Sequence, residues 1–134
     1  MVTGCSKEDL MTGCIFCDIN ENKIFKEIIL ENEHAFVALD NFPASPGHLL
    51  IISKAHFEHW FLTPLEVQQH MLFLQQQAYS WLSKKYQPDG YNVGTNCGPA
   101  SGQSVFHVHY HLIPRFIGDH PDPKGGIKRA IFTK

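Results

Sequence analysis

Phe106-His107-Val108-His109-Tyr110-His111-Leu112 alternates apolar or aromatic side chains with imidazoles at every second position. A β-strand sends successive side chains to opposite faces. His107, His109 and His111 therefore share one face, roughly 7 Å apart, and Phe106, Val108, Tyr110 and Leu112 share the other. The apolar face can seal a core, which leaves the imidazole face for chemistry. A strand is expected over 105–113.

Apolar runs at 28–30, 35–39 and 49–52 read as three earlier strands, the last two separated by the turn-prone Asn41-Phe42-Pro43-Ala44-Ser45-Pro46-Gly47. A further strand is expected over 91–95, followed by a Gly-rich loop over 96–102. The clearest helix signal starts at Thr63, as N-cap, with Pro64 in the first helical position and Glu66 completing a capping box. Val67, Met71, Leu74, Ala78 and Trp81 then recur at spacings of three or four, up to the turn Gln87-Pro88-Asp89-Gly90. Several strands with one strong helix predict an α+β fold, an antiparallel sheet with a long helix packed on one face. Residues 1–12 show no periodicity and read as a disordered leader, which leaves a single domain over 13–134.

The chain has 134 residues, long enough to bury a core without disulfides. Its 11 basic and 13 acidic residues give a formal net charge of -2, which offers no electrostatic grip on long nucleic acid. No apolar run is long enough to span a bilayer and no secretory signal opens the chain, so a cytoplasmic protein without a membrane partner is expected. Of four cysteines, Cys14 and Cys17 form a C-x-x-C pair, a spacing that zinc sites use, while Cys5 and Cys97 stand apart. Two sulfurs are half a site. Just upstream of the histidines, Asn96, Gly98, Gly102, Gln103 and Ser104 make a turn whose amides and short polar side chains suit phosphate oxygens.

The run Gly102-Gln103-Ser104-Val105-Phe106-His107-Val108-His109-Tyr110-His111-Leu112-Ile113-Pro114-Arg115 resembles the signature of the histidine triad (HIT) superfamily. The similarity extends back through Pro46-Gly47-His48-Leu49-Leu50-Ile51-Ile52 and Ala38-Leu39-Asp40 to Ile15-Phe16-Cys17, and Asp122-Pro123-Lys124-Gly125-Gly126-Ile127 is similar to the tail of bacterial-type members. This resemblance implies hydrolysis or transfer of a nucleoside monophosphate, with His109 attacking the α-phosphorus to form a covalent nucleotidyl-imidazole. It implies that His111 contacts the phosphate or leaving group and that His48 supports the nucleophile side. Asn96, Gln103 and Ser104 would position phosphate oxygens and Asp40 the ribose hydroxyls, although Asp also commonly ends strands in turns. Phe16, Ile19 and Leu39 would wall a purine slot, and Phe16 and Ile19 also suit a core.

Relatives with the cysteine pair imply that His56 and His107 complete a structural zinc site with Cys14 and Cys17, with His59 as a rival to His56. No organic cofactor is implied. Adenosine phosphoramidates, acyl-adenylates and dinucleoside polyphosphates remain alternative substrates. A homodimer formed through the long helix and neighbouring strands is also implied. A nucleotide-binding or scaffolding module with negligible turnover is the competing reading. His34, His70 and His120 lie outside these motifs and read as surface or packing residues.

Overall fold

Alternation in the central strands decides which sheet face meets the long helix. The computed structural model describes residues 14–23 and 25–127, and the expected leader at 1–12 lies outside them. Five strands, β1 (Leu30–Glu31), β2 (Ala35–Leu39), β3 (Leu49–Ser53), β4 (Gly90–Gly94) and β5 (His109–Arg115), pair antiparallel in the order β1-β2-β3-β5-β4. A short helix, α1 (Ile15–Asn20), precedes the sheet, and α2 (Leu65–Tyr86) lies between β3 and β4.

Ala35, Val37, Leu49, Ile51 and Leu112 turn to one face, where Val67, Met71, Leu74, Ala78 and Leu82 of α2 close over them. Phe36, Leu50 and Ile52 turn to the other, where Phe16 and Ile19 of α1 cover them. Each fully buried side chain of this kind contributes about 1.5–3 kcal/mol. His109 pairs with Ile52 and His111 with Leu50, so both imidazoles share the α1 face of the sheet.

Several expected boundaries move. β5 begins at His109 instead of residue 105, because the Val108 amide donates to the Phe57 carbonyl (2.7 Å) and the preceding residues follow that loop. Phe106 is consequently exposed while Val108 stays buried. Helix α2 starts at Leu65 with Pro64 as an N-cap that makes no side-chain bond. Thr63 does not cap it: the Thr63 hydroxyl donates to the His59 carbonyl (2.9 Å), closing a short 3₁₀ turn at Trp60–Leu62. The last core position of the helix is Leu82, and Trp81 is only partly buried.

Gly47 leads directly into His48 at a positive φ of 89°. A Cβ there would stand 3.1 Å from Leu82 Cδ2 and from the Tyr86 ring. Gly47→Ala is therefore expected to destabilise the protein by about 1–3 kcal/mol through backbone strain and crowding. Urea unfolding of the variant measures this, and an unchanged midpoint would show that the C-terminal turn of α2 yields without cost.

Candidate active site

Hydrogen-bond partners set the state of each imidazole. His109 Nδ1 lies 2.8 Å from the carbonyl oxygen of His107. A carbonyl only accepts, so Nδ1 carries the proton and the lone pair of the neutral ring sits on Nε2. That is the form a nucleophilic imidazole requires. Thr95 at the end of β4 donates its hydroxyl to the His109 carbonyl (2.7 Å), and the Phe16 ring meets the imidazole edge-on with centroids 5.0 Å apart.

A backbone amide sets the tautomer of a second imidazole. Ala44 N–H donates to His48 Nδ1 (3.0 Å), which puts the proton of neutral His48 on Nε2. His48 Nε2 is 2.9 Å from His111 Nδ1, so His111 accepts there and carries its own proton on Nε2. Asp40 Oδ2 stands 3.5 Å from the same His48 nitrogen. His48 is fully buried and pairs with His111. His109 and His111 lie with ring centroids 5.2 Å apart, one presenting a lone pair and the other an N–H.

Both open on a cleft of about 700 Å³ lined also by Asp40, Phe42, Asn96, Ser104 and the loop at 99–103. The loop owes its shape to a 3₁₀ turn at Pro99–Ser101 between Gly98 and Gly102, both at positive φ. Gln103 braces it from within: Oε1 accepts from the Gly98 amide (2.7 Å), and Nε2 donates to the carbonyls of Glu58 (2.7 Å) and Val105 (3.0 Å). Its amide thus shapes the loop, and Gln103 itself also lines the cleft. A narrower slot adjoins the cleft. Phe16, Ile19 and Leu39 line it with Lys26 and Asn41, and Asp40 and Phe42 border both spaces. Phe16 and Ile19 are at once core residues and slot walls. Asp40 also ends its strand as a turn residue, with Oδ1 accepting from the Phe42 amide (2.9 Å) and Oδ2 left toward His48.

His107 turns away from the cleft. Its Nε2 donates to the Ser53 carbonyl (2.8 Å), so its Nδ1 lone pair faces Cys14, Cys17 and His56. Cys14 Sγ approaches His107 Nδ1 to 3.2 Å and His56 Nδ1 to 3.5 Å, Cys17 Sγ approaches them to 3.5 and 3.3 Å, and the two nitrogens are 3.2 Å apart. Around a tetrahedral zinc ion, nitrogen and sulfur donors stand roughly 3.3–3.8 Å from one another, so the spacing of the four residues suits that ion once Cys17, disulfide-bonded in this structure, is reduced to its thiolate. The rival, His59, is occupied elsewhere, its Nδ1 accepting from the Phe61 amide (3.2 Å). A carbonyl partner on the second nitrogen of a ligating histidine is the usual way to fix its ring.

Arg115, at the end of the signature run, serves structure: Nε and Nη2 hold both carboxylate oxygens of Asp119 (2.8 and 2.9 Å), and Nη1 donates to Asn92 (2.6 Å). The hydrogen bonds from the guanidinium hold Asp119 below the usual carboxylate range. Ala44, Ser53 and Thr95 act here without any sequence signature, two of them through backbone atoms.

A family model, the HIT domain, matches residues 21–118. A HIT-like protein of Mycoplasma pneumoniae is 39% identical over 104 residues, 78% of this chain and 72% of that one. Two relatives with named activities are an adenylylsulfatase of Arabidopsis thaliana, 35% identical over 79% of this chain and 54% of its own, and an adenosine 5'-monophosphoramidase of Saccharomyces cerevisiae, 35% identical over 79% and 65%. Among solved structures, a HIT family protein from Bacillus anthracis matches with a TM-score of 0.77 at 34% identity, covering 80% of this chain and 76% of that one. A zinc-bound histidine triad family protein from Mycobacterium smegmatis matches with a TM-score of 0.75 at 31% identity, covering 91% and 92%.

Proposed function

The chain belongs to the HIT family, and from that premise we propose that it is a nucleotide hydrolase or transferase acting at the α-phosphorus of an adenosine phosphoramidate, an acyl-adenylate or a dinucleoside polyphosphate. The observation that carries this reading is the Nδ1–H bond from His109 to the His107 carbonyl, which leaves the Nε2 lone pair beside the N–H of His111 in the cleft. His109 Nε2 forms the bond to phosphorus as the bond to the leaving group breaks and carries its electron pair away. For a phosphoramidate, the departing amine takes a proton from solvent. His111 Nε2–H donates to the oxygen on which charge builds, held in that tautomer by His48. Water then attacks phosphorus, the pair of the P–N bond returns to His109, and the proton released balances the one consumed. The relatives named for phosphoramidase and adenylylsulfatase activities support this class.

Purified protein incubated with adenosine 5'-phosphoramidate, an aminoacyl-adenylate and diadenosine polyphosphates, with products separated by chromatography, tests the reading. AMP formation from at least one is expected. Binding of all three without turnover would leave the binding-module reading in its place.

Asp40 borders both the phosphate cleft and the slot walled by Phe16, Ile19 and Leu39, which suits a ribose between α-phosphate and purine. Asp40→Asn keeps an oxygen for the Phe42 amide but loses the charge. It is expected to weaken AMP at least about tenfold, the worth of a charged hydrogen bond, and to weaken 2',3'-dideoxy-AMP much less. Calorimetric dissociation constants for the two ligands decide it, and equal weakening would leave Asp40 a turn residue only.

Cys14, Cys17, His56 and His107 would hold zinc, and the zinc-bound relative supports that choice. Four protein ligands leave no open position, so the ion would supply structure, tying α1 to the strand of His109. A homodimer is supported by the exposed Tyr79 of α2 and Val93 of β4, which line one groove, and by Leu72, exposed two turns before Tyr79 on α2, an apolar surface suited to a second copy. Among the described residues no helix is long and apolar enough to cross a membrane.

A further inference from the structure

The hairpin tip between β1 and β2 is fastened to the start of α2. Asn32 Oδ1 accepts from the amides of His34 (3.1 Å) and Ala35 (3.0 Å), and Asn32 Nδ2 donates to the His70 carbonyl (3.0 Å). This brings His34 and His70 edge-on, with ring centroids 4.5 Å apart at 75°. Glu66 and His70 are four residues apart and share one helix face.

We propose that Glu33, His34 and His70 form a second metal site, for a divalent ion of the zinc, nickel or copper type. One ligand atom from each lies within 4.8 Å of the other two. His70 Nδ1 donates to the Glu66 carbonyl (2.8 Å), so its Nε2 lone pair faces outward, 4.0 Å from Glu33 Oε1. A backbone carbonyl behind the ring is again the support that ligating histidines use. His34 Nε2 is shielded from solvent and makes no hydrogen bond, although Glu66 Oε2 (3.5 Å) and Glu33 Oε2 (3.9 Å) lie within ion-pair reach.

An ion between these two imidazoles, which stand in edge contact, satisfies both lone pairs and takes the Glu33 carboxylate as a third donor. Imidazole nitrogen with carboxylate oxygen selects borderline transition ions over magnesium or calcium. Glu33 is well exposed and the two histidines are partly so, which leaves room for water to complete the coordination. The site would clamp the hairpin tip to the second turn of α2. It shares no residue with the Cys14–His107 cluster or with the cleft.

The test is calorimetric titration of zinc-replete, dialysed full-length protein with Zn²⁺ and, separately, Ni²⁺, alongside His34→Gln, His70→Gln, Glu33→Gln and Cys14→Ser. The wild type is expected to take up one further ion per chain. Either histidine variant should weaken that uptake at least about tenfold, Glu33→Gln should weaken it less, and Cys14→Ser should leave it intact. Circular dichroism without added metal confirms that the variants fold. In Co²⁺-loaded protein, the second equivalent should add no sulfur-to-metal charge-transfer band. Absence of a saturable second uptake, an uptake indifferent to both histidine variants, or one lost with Cys14→Ser would each overturn the proposal.

Discussion

His109→Ala is expected to abolish the covalent nucleotidyl-enzyme and to lower turnover by roughly four orders of magnitude, about 5.5 kcal/mol of transition-state stabilisation. The size follows from removing the nucleophile while sparing the cleft, the loop and the His48–His111 pair. His109 is only partly buried, and its replacement by Ala removes the ring's bond to the His107 carbonyl while leaving the bond from the Thr95 hydroxyl to its backbone carbonyl, so the fold should survive. Nucleotide affinity should persist, because the slot walls and Asp40 are untouched. Acid-labile labelling from a radioactive adenylate, measured with steady-state turnover and a melting curve, separates the two effects. A variant of normal turnover would end the nucleophile assignment, and so would wild-type protein that turns over without ever being labelled. His109→Gly offers a second check: free imidazole should restore part of the activity only if the missing group acts chemically.

Cys14→Ser is expected to reverse that pattern. About one zinc per chain should be present in the wild type and absent in the variant, and the melting temperature should fall by more than about 10 °C, since metal binding contributes directly to folding free energy. The drop reflects what the cluster joins: the α1 segment, the loop carrying His56 and the residue two before His109. Molecules that remain folded should retain most of their turnover, because a closed site supplies no catalytic water. Added zinc should rescue neither Cys14→Ser stability nor His109→Ala activity. Elemental analysis with melting curves in the presence and absence of chelator provides the measurement. Wild type of full stability without metal would remove zinc from the account, and zinc retained by Cys14→Ser would place it on other ligands.

Much of this was legible in the chain. The apolar runs at 35–39 and 49–52 mark two strands of the sheet, a signal local enough to be read without partners, whereas the division of Val37 and Ile51 from Phe36 and Leu50 between the two faces comes from the structure. The alternation of the histidine run carries His109 and His111 to one face, and the run from Gly102 to Arg115 carries the family resemblance that points to Asp40, His48 and the cysteine pair.

Tertiary structure decided the rest, in each case through a bond between residues distant in sequence or through a backbone atom common to every residue type. His107 leaves the row of three because Val108 bonds to Phe57 and β5 starts late. His56 is preferred over His59 because a local amide occupies His59. Thr63 fails to cap α2 because its hydroxyl reaches back to the His59 carbonyl. The tautomers of His48, His109 and His111 depend on the Ala44 amide and the His107 carbonyl, groups with no side-chain identity to read. His34 and His70 look unrelated at 36 residues' separation until Asn32 pins a hairpin tip to a helix. Side-chain period determines which residues of one strand share a face, because that is a property of the local backbone; which proton an imidazole carries and which ligands meet is fixed by non-local hydrogen bonds that exist only once the chain has folded.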